Sequence, residues 1–240
     1  MTRIAIIAAM AGELKPLVRG WRHERTNGVH LWRRRFDEGE WIAACAGAGV
    51  AAATRAFAEV EKDGPVDEVI STGWAGALRE ELLLGLAYDV STVIDARTGE
   101  RFVAACPPNN SWLVTSSRVA GAHEKLRLAE TYQAALVDME AAGVARLAQM
   151  RGIPFYCIKG ISDGPSEQLP DFNSFISLDG QFKLARFIVF AILRPWHWPA
   201  LMRMGENSRK AARNIAQSLL NLLDERGPAS KRNGYPNHQR

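Results

Sequence analysis

At 240 residues and 26.5 kDa, the chain is long enough to bury a substantial core in one large domain or two small ones. Its 47% hydrophobic and 23% charged residues exclude a disordered or fibrous chain. The three cysteines (Cys45, Cys106, Cys157) are widely spaced without a Cys-x-x-Cys pair, which excludes a disulfide scaffold and argues against a zinc site. The net charge of +4 hides an asymmetry. From Lys183 onward eleven Lys and Arg stand against three Asp and Glu, whereas the first 182 residues carry a net −4. The basic pI of about 9.1 therefore belongs to the last quarter, which calls for an anionic surface partner there rather than a nucleic-acid-binding body.

In chain order, Arg3–Ala9 is a continuous apolar run, predicted as a first strand covered on both faces rather than a secretory signal. Val29–Arg35 and Glu40–Ala46 read as paired strands joined by the turn Asp37-Glu38-Gly39. The Ala-rich stretch Val50–Lys62 reads as a helix ended by Gly64-Pro65, followed by a buried strand at Glu68–Ser71. Strands are expected at Ala87–Asp95, Arg101–Ala105 and Trp112–Ser116, with a loop at Pro107–Asn110. A helix at His123–Thr131, a small strand at Ala135–Val137, a helix at Glu140–Arg151 and an apolar strand at Phe155–Ile161 complete the pattern. Such alternation predicts an α/β fold with a mixed central sheet flanked by helices.

The C-terminal region reads differently. Gln181–Leu193 and Pro199–Leu223 have helical patterns on either side of Arg194-Pro195-Trp196-His197-Trp198-Pro199, and Gly227–Arg240 has the polar composition of a disordered tail. This divides the chain into a core over 1–180, amphipathic helices over 181–225 and a tail over 226–240. Phe187–Leu193, bracketed by Arg186 and Arg194, is too short to span a bilayer. Trp beside Arg suits a helix lying in a membrane surface, and packing on the sheet or across a dimer is the equal alternative. The expected address is cytoplasmic, with peripheral contact at the inner membrane surface left open.

Three carboxylates each follow a predicted strand: Glu13, Glu140 and Asp163. In open α/β sheets ligands collect at the carboxyl ends of strands, so the three are candidates for one pocket. Singly, each has a plainer explanation as a helix cap or turn residue.

The opening MTRIAIIAAMAGEL, then Cys45–Ala53 (CAGAGVAAA), Ser71–Leu78 (STGWAGAL), Val137–Ala145 (VDMEAAGVA) and Ile158–Asp163 (IKGISD), resembles the purine nucleoside phosphorylase and methylthioadenosine/adenosylhomocysteine nucleosidase superfamily in order and spacing over residues 1–180. The resemblance implies a mixed sheet partly closed into a barrel, and scission of an N-ribosyl bond without metal or organic cofactor. It assigns Glu13 to the nucleophilic water, Met139 and Glu140 to the ribose, and Asp163, with Ser162, to protonation of the departing purine. A carboxylate beside the sugar and an acid beside the base answer the charges that bond scission creates. Gly73, Trp74, Val119 and Lys159 fall at further substrate-side positions. Here the sequence departs from the family: Lys159 stands where Arg is usual, Val119 offers little surface for stacking a base, and Trp74 replaces a small residue, as core packing or as a wall beside the ribose.

A phosphorylase needs an anion cradle, for which Gly47-Ala48-Gly49, Thr72-Gly73 and Arg79 are candidates. A carboxylate at Glu13 would repel phosphate and favours water. The Arg-Pro-Trp-x-Trp-Pro stretch resembles the hopanoid-associated branch, which implies adenosylhopane as substrate and a lipid tail at the ribose 5′ carbon. The leading expectation is a hydrolase for a 5′-substituted adenosine. The alternatives are a phosphate-dependent phosphorylase and an inactive nucleoside-binding protein. The resemblance also implies a homo-oligomer, and nucleic acid is not an expected partner.

Overall fold

The apolar run at the N-terminus forms β1 (Thr2–Ala8), parallel to β4 (Gly39–Cys45) on one edge and to β5 (Glu68–Ala77) on the other. Every side chain from Ile4 to Ala8 is buried, which is why the run does not alternate. These elements belong to a computed structural model that describes residues 2–36, 39–106, 111–167, 169–177 and 179–224. The turn residues Asp37 and Glu38, the loop Pro107–Asn110 and the tail Gly227–Arg240 lie outside the described residues.

β3 (Val29–Phe36) pairs antiparallel with β4, as the sequence predicts. A further strand, β2 (Arg22–Thr26), extends that hairpin at the sheet margin. Its sequence Arg-His-Glu-Arg-Thr has no apolar face and stays mostly exposed, so burial left no pattern in it. Its one mark was the two-residue turn Asn27-Gly28, with φ of 53° and 79°, a strong hairpin signal. The run Ala87–Asp95, expected as one strand, divides at Val90-Ser91 because it serves two parts of the sheet. β6 (Ala87–Asp89) pairs with β11 (Phe155–Asp163), and β7 (Thr92–Asp95) pairs with β8 (Arg101–Val103) and β9 (Trp112–Thr115).

β5 is the branch point of the mixed sheet, which has eleven strands among the described residues. Its first half pairs with β1, its last residues with β10 (Leu136–Asp138), and its other edge with β11. A strand with three partners makes the sheet turn on itself, and the ends of β1, β5, β10 and β11 come together.

The Ala-rich helices α2 (Val50–Glu61) and α4 (Ala141–Arg151) pack together on one face. Ala52, Ala53, Ala56, Ala142, Ala145 and Ala148 share a core there with Phe57 and the sheet. The opposite face is covered by α1 (Ala11–Leu14) and the C-terminal half of α6 (Trp198–Asp224), which buries Ile215, Leu219 and Leu223 at four-residue spacing. At the crossing of α6 over β11, a Cβ at Gly160 would lie 2.8 Å from the Ala211 Cβ, so only glycine fits. α3 (Ala122–Tyr132) closes one end, and α5 (Leu184–Leu193) joins α6 through a turn at Pro195–His197. Among the described residues no helix is long and apolar enough to cross a membrane.

Candidate active site

Glu13, Glu140 and Asp163 line one cavity of about 600 Å³, together with Met139, Ser162, Trp74 and Val119. Two residues expected at the substrate do not reach it. Lys159 is wholly buried beneath the site, and Gly73 lies behind Glu13.

Glu13 sits in the one-turn helix α1, and its carboxylate folds back on the chain that leads into it. Oε2 accepts the N–H groups of Ala9 and Met10 at 2.9 and 2.7 Å, and Oε1 accepts the Trp74 N–H at 2.8 Å. The approach to β5 depends on Gly73. Its φ is 124°, and a Cβ there would lie 2.8 Å from Glu13 Oε1. Burial pushes the Glu13 carboxyl above the ordinary range, against these three bonds and the charge of Lys159. A carboxylate offers about four acceptor sites, so one remains for a water or a hydroxyl in the cavity.

Glu140 precedes α4 and accepts the Gly49 N–H at 2.7 Å. Burial and the adjacent Asp138 charge raise its pKa to about 8, with Lys159 and the Gly49 bond opposing. Asp138, to which the sequence analysis gave no part, anchors this floor. Its carboxylate accepts from Thr115 Oγ1 at 2.7 Å, from the Ala141 N–H at 2.9 Å and from Lys159 Nζ at 2.9 Å. Lys159 also donates to the Thr72 carbonyl at 3.1 Å. Burial alone would lower the Lys159 pKa, but the Asp138 charge outweighs it and holds the ammonium protonated, above its ordinary value. Lys159 thus places a buried positive charge beneath the cavity, bonded to Asp138 and to the Thr72 carbonyl.

Asp163 ends β11. Ser162 Oγ donates to its Oδ1 at 2.6 Å, and its Oδ2 accepts from Lys125 Nζ, which also bonds the Gly164 carbonyl at 2.5 Å. Lys125 is 2% exposed and lines the same cavity, yet no motif marked it. The available signal was periodicity: Lys125 shares the face of α3 that carries Leu128, Ala129 and Tyr132, all packed inward.

Val119 offers the cavity a small side chain, and its backbone is already engaged. Its N–H donates to Asn173 Oδ1 at 2.8 Å and its carbonyl accepts from Asn173 Nδ2 at 3.0 Å. Trp74 lines the cavity, and its indole N–H ties β5 to α6 through the Ser208 carbonyl at 2.9 Å. The rest of the wall comes from the chain after β11, with Leu169, Phe172, Phe182, Phe187, Leu201 and Met204 facing inward. Of the candidates for an anion cradle, Ala48 lines the cavity, whereas Gly47 packs against Gly180 and Arg79 donates to the Gln133 carbonyl at 2.6 Å, outside the cavity. Among the described residues no group of three or more His, Cys, Asp or Glu is arranged to hold a metal ion.

The fold is that of the nucleosidases and futalosine hydrolases. The 5′-methylthioadenosine/S-adenosylhomocysteine nucleosidase of Helicobacter pylori, solved with butyl-thio-DADMe-Immucillin-A, aligns with a TM-score of 0.71 at 18% identity, covering 94% of this chain and 99% of its own. Futalosine hydrolase of the same organism gives 0.71 at 17%, covering 93% and 98%. The S. pneumoniae nucleosidase with the inhibitor MT-ImmA gives 0.69 at 19%, covering 94% and 100%. No curated protein matches the sequence. The phosphorylase superfamily model matches residues 3–104 and 112–187, and the chain belongs to that family. It is accordingly an enzyme of the glycosyl-bond-cleaving class.

Proposed function

We propose that the protein uses water to cleave the N-ribosyl bond of a 5′-substituted adenosine, releasing adenine, and that the substituent is a long apolar one such as the hopane skeleton of adenosylhopane. The observation that carries this reading is one cavity in which the carboxylates of Glu13, Glu140 and Asp163 meet a wall made largely of apolar side chains. The structural neighbours named for nucleosidase or futalosine hydrolase activity are in keeping with it.

In this reading Glu13, held by three backbone N–H groups, accepts a proton from the water that attacks the anomeric carbon. Glu140 and the Met139 backbone take the ribose hydroxyls, and negative charge at Glu140 offsets the positive charge that grows on the sugar. The bonding electrons leave with the purine, which takes a proton from Asp163. Asp163 in turn draws on the Lys125 ammonium bonded to it, so one proton moves from Nζ through the carboxyl to the base. Water rather than phosphate is favoured because Glu13 would repel an anion at the position of attack.

The test is adenine release from 5′-methylthioadenosine and from a lipid-tailed adenosine, with and without phosphate. Release without phosphate from both, with lower KM for the tailed compound, is the expected result. Strict dependence on phosphate would make the protein a phosphorylase, and tight binding without release would leave it a nucleoside-binding protein.

A further inference from the structure

Between Asp179 and Glu206 the chain has no acidic residue, while Lys183, Arg186, Arg194 and Arg203 are all exposed. This stretch folds as α5, the Pro195–His197 turn and the start of α6. α5 has no fully buried residue. Its inner side packs by Phe187 and Phe190 on Phe175, with ring centroids 5.4 and 5.1 Å apart. Its outer side presents Leu184, Ile188, Val189, Ile192 and Leu193, which recur on one helical face and stand open to solvent. Trp196, Trp198 and Met202 carry the patch around the turn, and Ile192, Leu193 and Trp196 are 63%, 67% and 68% exposed. Scattered exposed hydrophobes are ordinary. A stripe of this size with two tryptophans marks an interaction surface.

We propose that this outer face docks on an anionic phospholipid surface, with α5 lying in the plane of the leaflet. Three features select lipid as the occupant. The border is uniformly cationic, matching the negative potential of such a leaflet. Tryptophan and arginine beside an aliphatic stripe are the residues that interfacial helices use, and Arg186, Arg194, Trp196 and Trp198 are all exposed here. The opposite side of the same elbow lines the cavity through Phe187, Leu201 and Met204, so docking sets the apolar wall about one helix diameter, ~10 Å, from lipid. A second copy meeting this face about a two-fold axis would set four cations against four. The surface stands on its own exposure and charge; its use in drawing a lipid-tailed substrate into the cavity rests on the proposed function.

The test is flotation of the full-length protein with vesicles of phosphatidylcholine, with and without phosphatidylglycerol. Binding to the anionic vesicles is expected, weakening as salt is raised. The combined variant Val189→Ser, Ile192→Ser, Trp196→Ser is expected to lower the partition constant at least about tenfold. Arg186→Glu with Arg194→Glu is expected to abolish the preference for phosphatidylglycerol. None of these residues lines the cavity, so turnover of 5′-methylthioadenosine in detergent-free buffer reports that each variant is folded. Failure of the wild-type protein to float would overturn the proposal. So would a dimer, seen by light scattering, that the serine variant dissolves while lipid binding is absent. Flotation without cleavage of any adenosine would keep the surface and remove the proposed function instead.

Discussion

The floor and the wall of the cavity are built by opposite means. The floor gathers where strands end: Asp138 and Asp163 close β10 and β11, Glu13 and Glu140 lie just beyond β1 and β10, and backbone N–H groups, Thr115, Ser162 and two buried lysines fix their carboxylates. The wall is helix and loop: Leu169, Phe172, Phe182, Phe187, Leu201 and Met204 are apolar, and among them Phe172 and Phe182 pack on Phe187. Groups fixed by directional bonds suit chemistry, since their alignment is in place before substrate arrives. Surfaces fixed only by packing suit selection, because a side chain there can change without disturbing a reacting atom.

If that division is right, substitutions in the floor lower kcat and substitutions in the wall raise KM for particular substrates. The largest effect is expected from Glu13→Gln, which keeps size and the backbone bonds to one oxygen but removes the base. The loss in kcat should reach about 10³-fold, within the range for a positioned general base, while nucleoside binding by calorimetry persists. An unchanged kcat would take Glu13 out of the reaction. Lys125→Met comes next. It leaves the Asp163 carboxylate without its ammonium, and kcat is expected to fall about 10²-fold at nearly constant KM. Lys125→Arg should recover part of the rate, and recovery confined to thermal stability would reduce Lys125 to a packing role.

The wall supplies the contrast. Phe187→Ala should raise KM about tenfold for a lipid-tailed adenosine and leave 5′-methylthioadenosine nearly unaffected, the cost of one lost aromatic contact. Equal losses on both substrates would place Phe187 in the floor's business and blur the comparison.

This division also explains what the sequence allowed to be read. The meeting of Glu13, Glu140 and Asp163 in one cavity was legible because each follows an apolar strand, where a ligand can gather. The fold was legible because fully buried strands such as Ile4–Ala8 leave unbroken apolar runs. Lys125 and Asp138 were not, because they act through partners 38 and 21 positions away in sequence, and only tertiary pairing brings them together. Lys159 entered the substrate-side positions only through its match to the family's usual Arg, and its partner Asp138 is invisible until β10 and β11 are placed. The wall was the least legible, since Phe187 and Ile188 are adjacent apolar residues of one helix and only the fold decides which faces the cavity and which faces outward.

The smallest effect tests the floor without any substrate. Glu140 has a folded-state pKa raised to about 8, so between its unfolded value near 4.5 and pH 8 the folded protein keeps a proton that the unfolded chain has released. Its contribution to stability is therefore fully present below the unfolded value and is lost as pH rises through about 8. Glu140→Gln cannot release that proton. The variant should match the parent near pH 4.5 and exceed it at pH 9 by on the order of 5 °C in Tm. Over the same interval the parent's kcat/KM should rise with pH as Glu140 becomes the carboxylate that the sugar requires. A gap in Tm that stays constant across this range would mean that Glu140 carries the same charge in both states, and that the Asp138–Lys159 pair beneath it screens the floor completely.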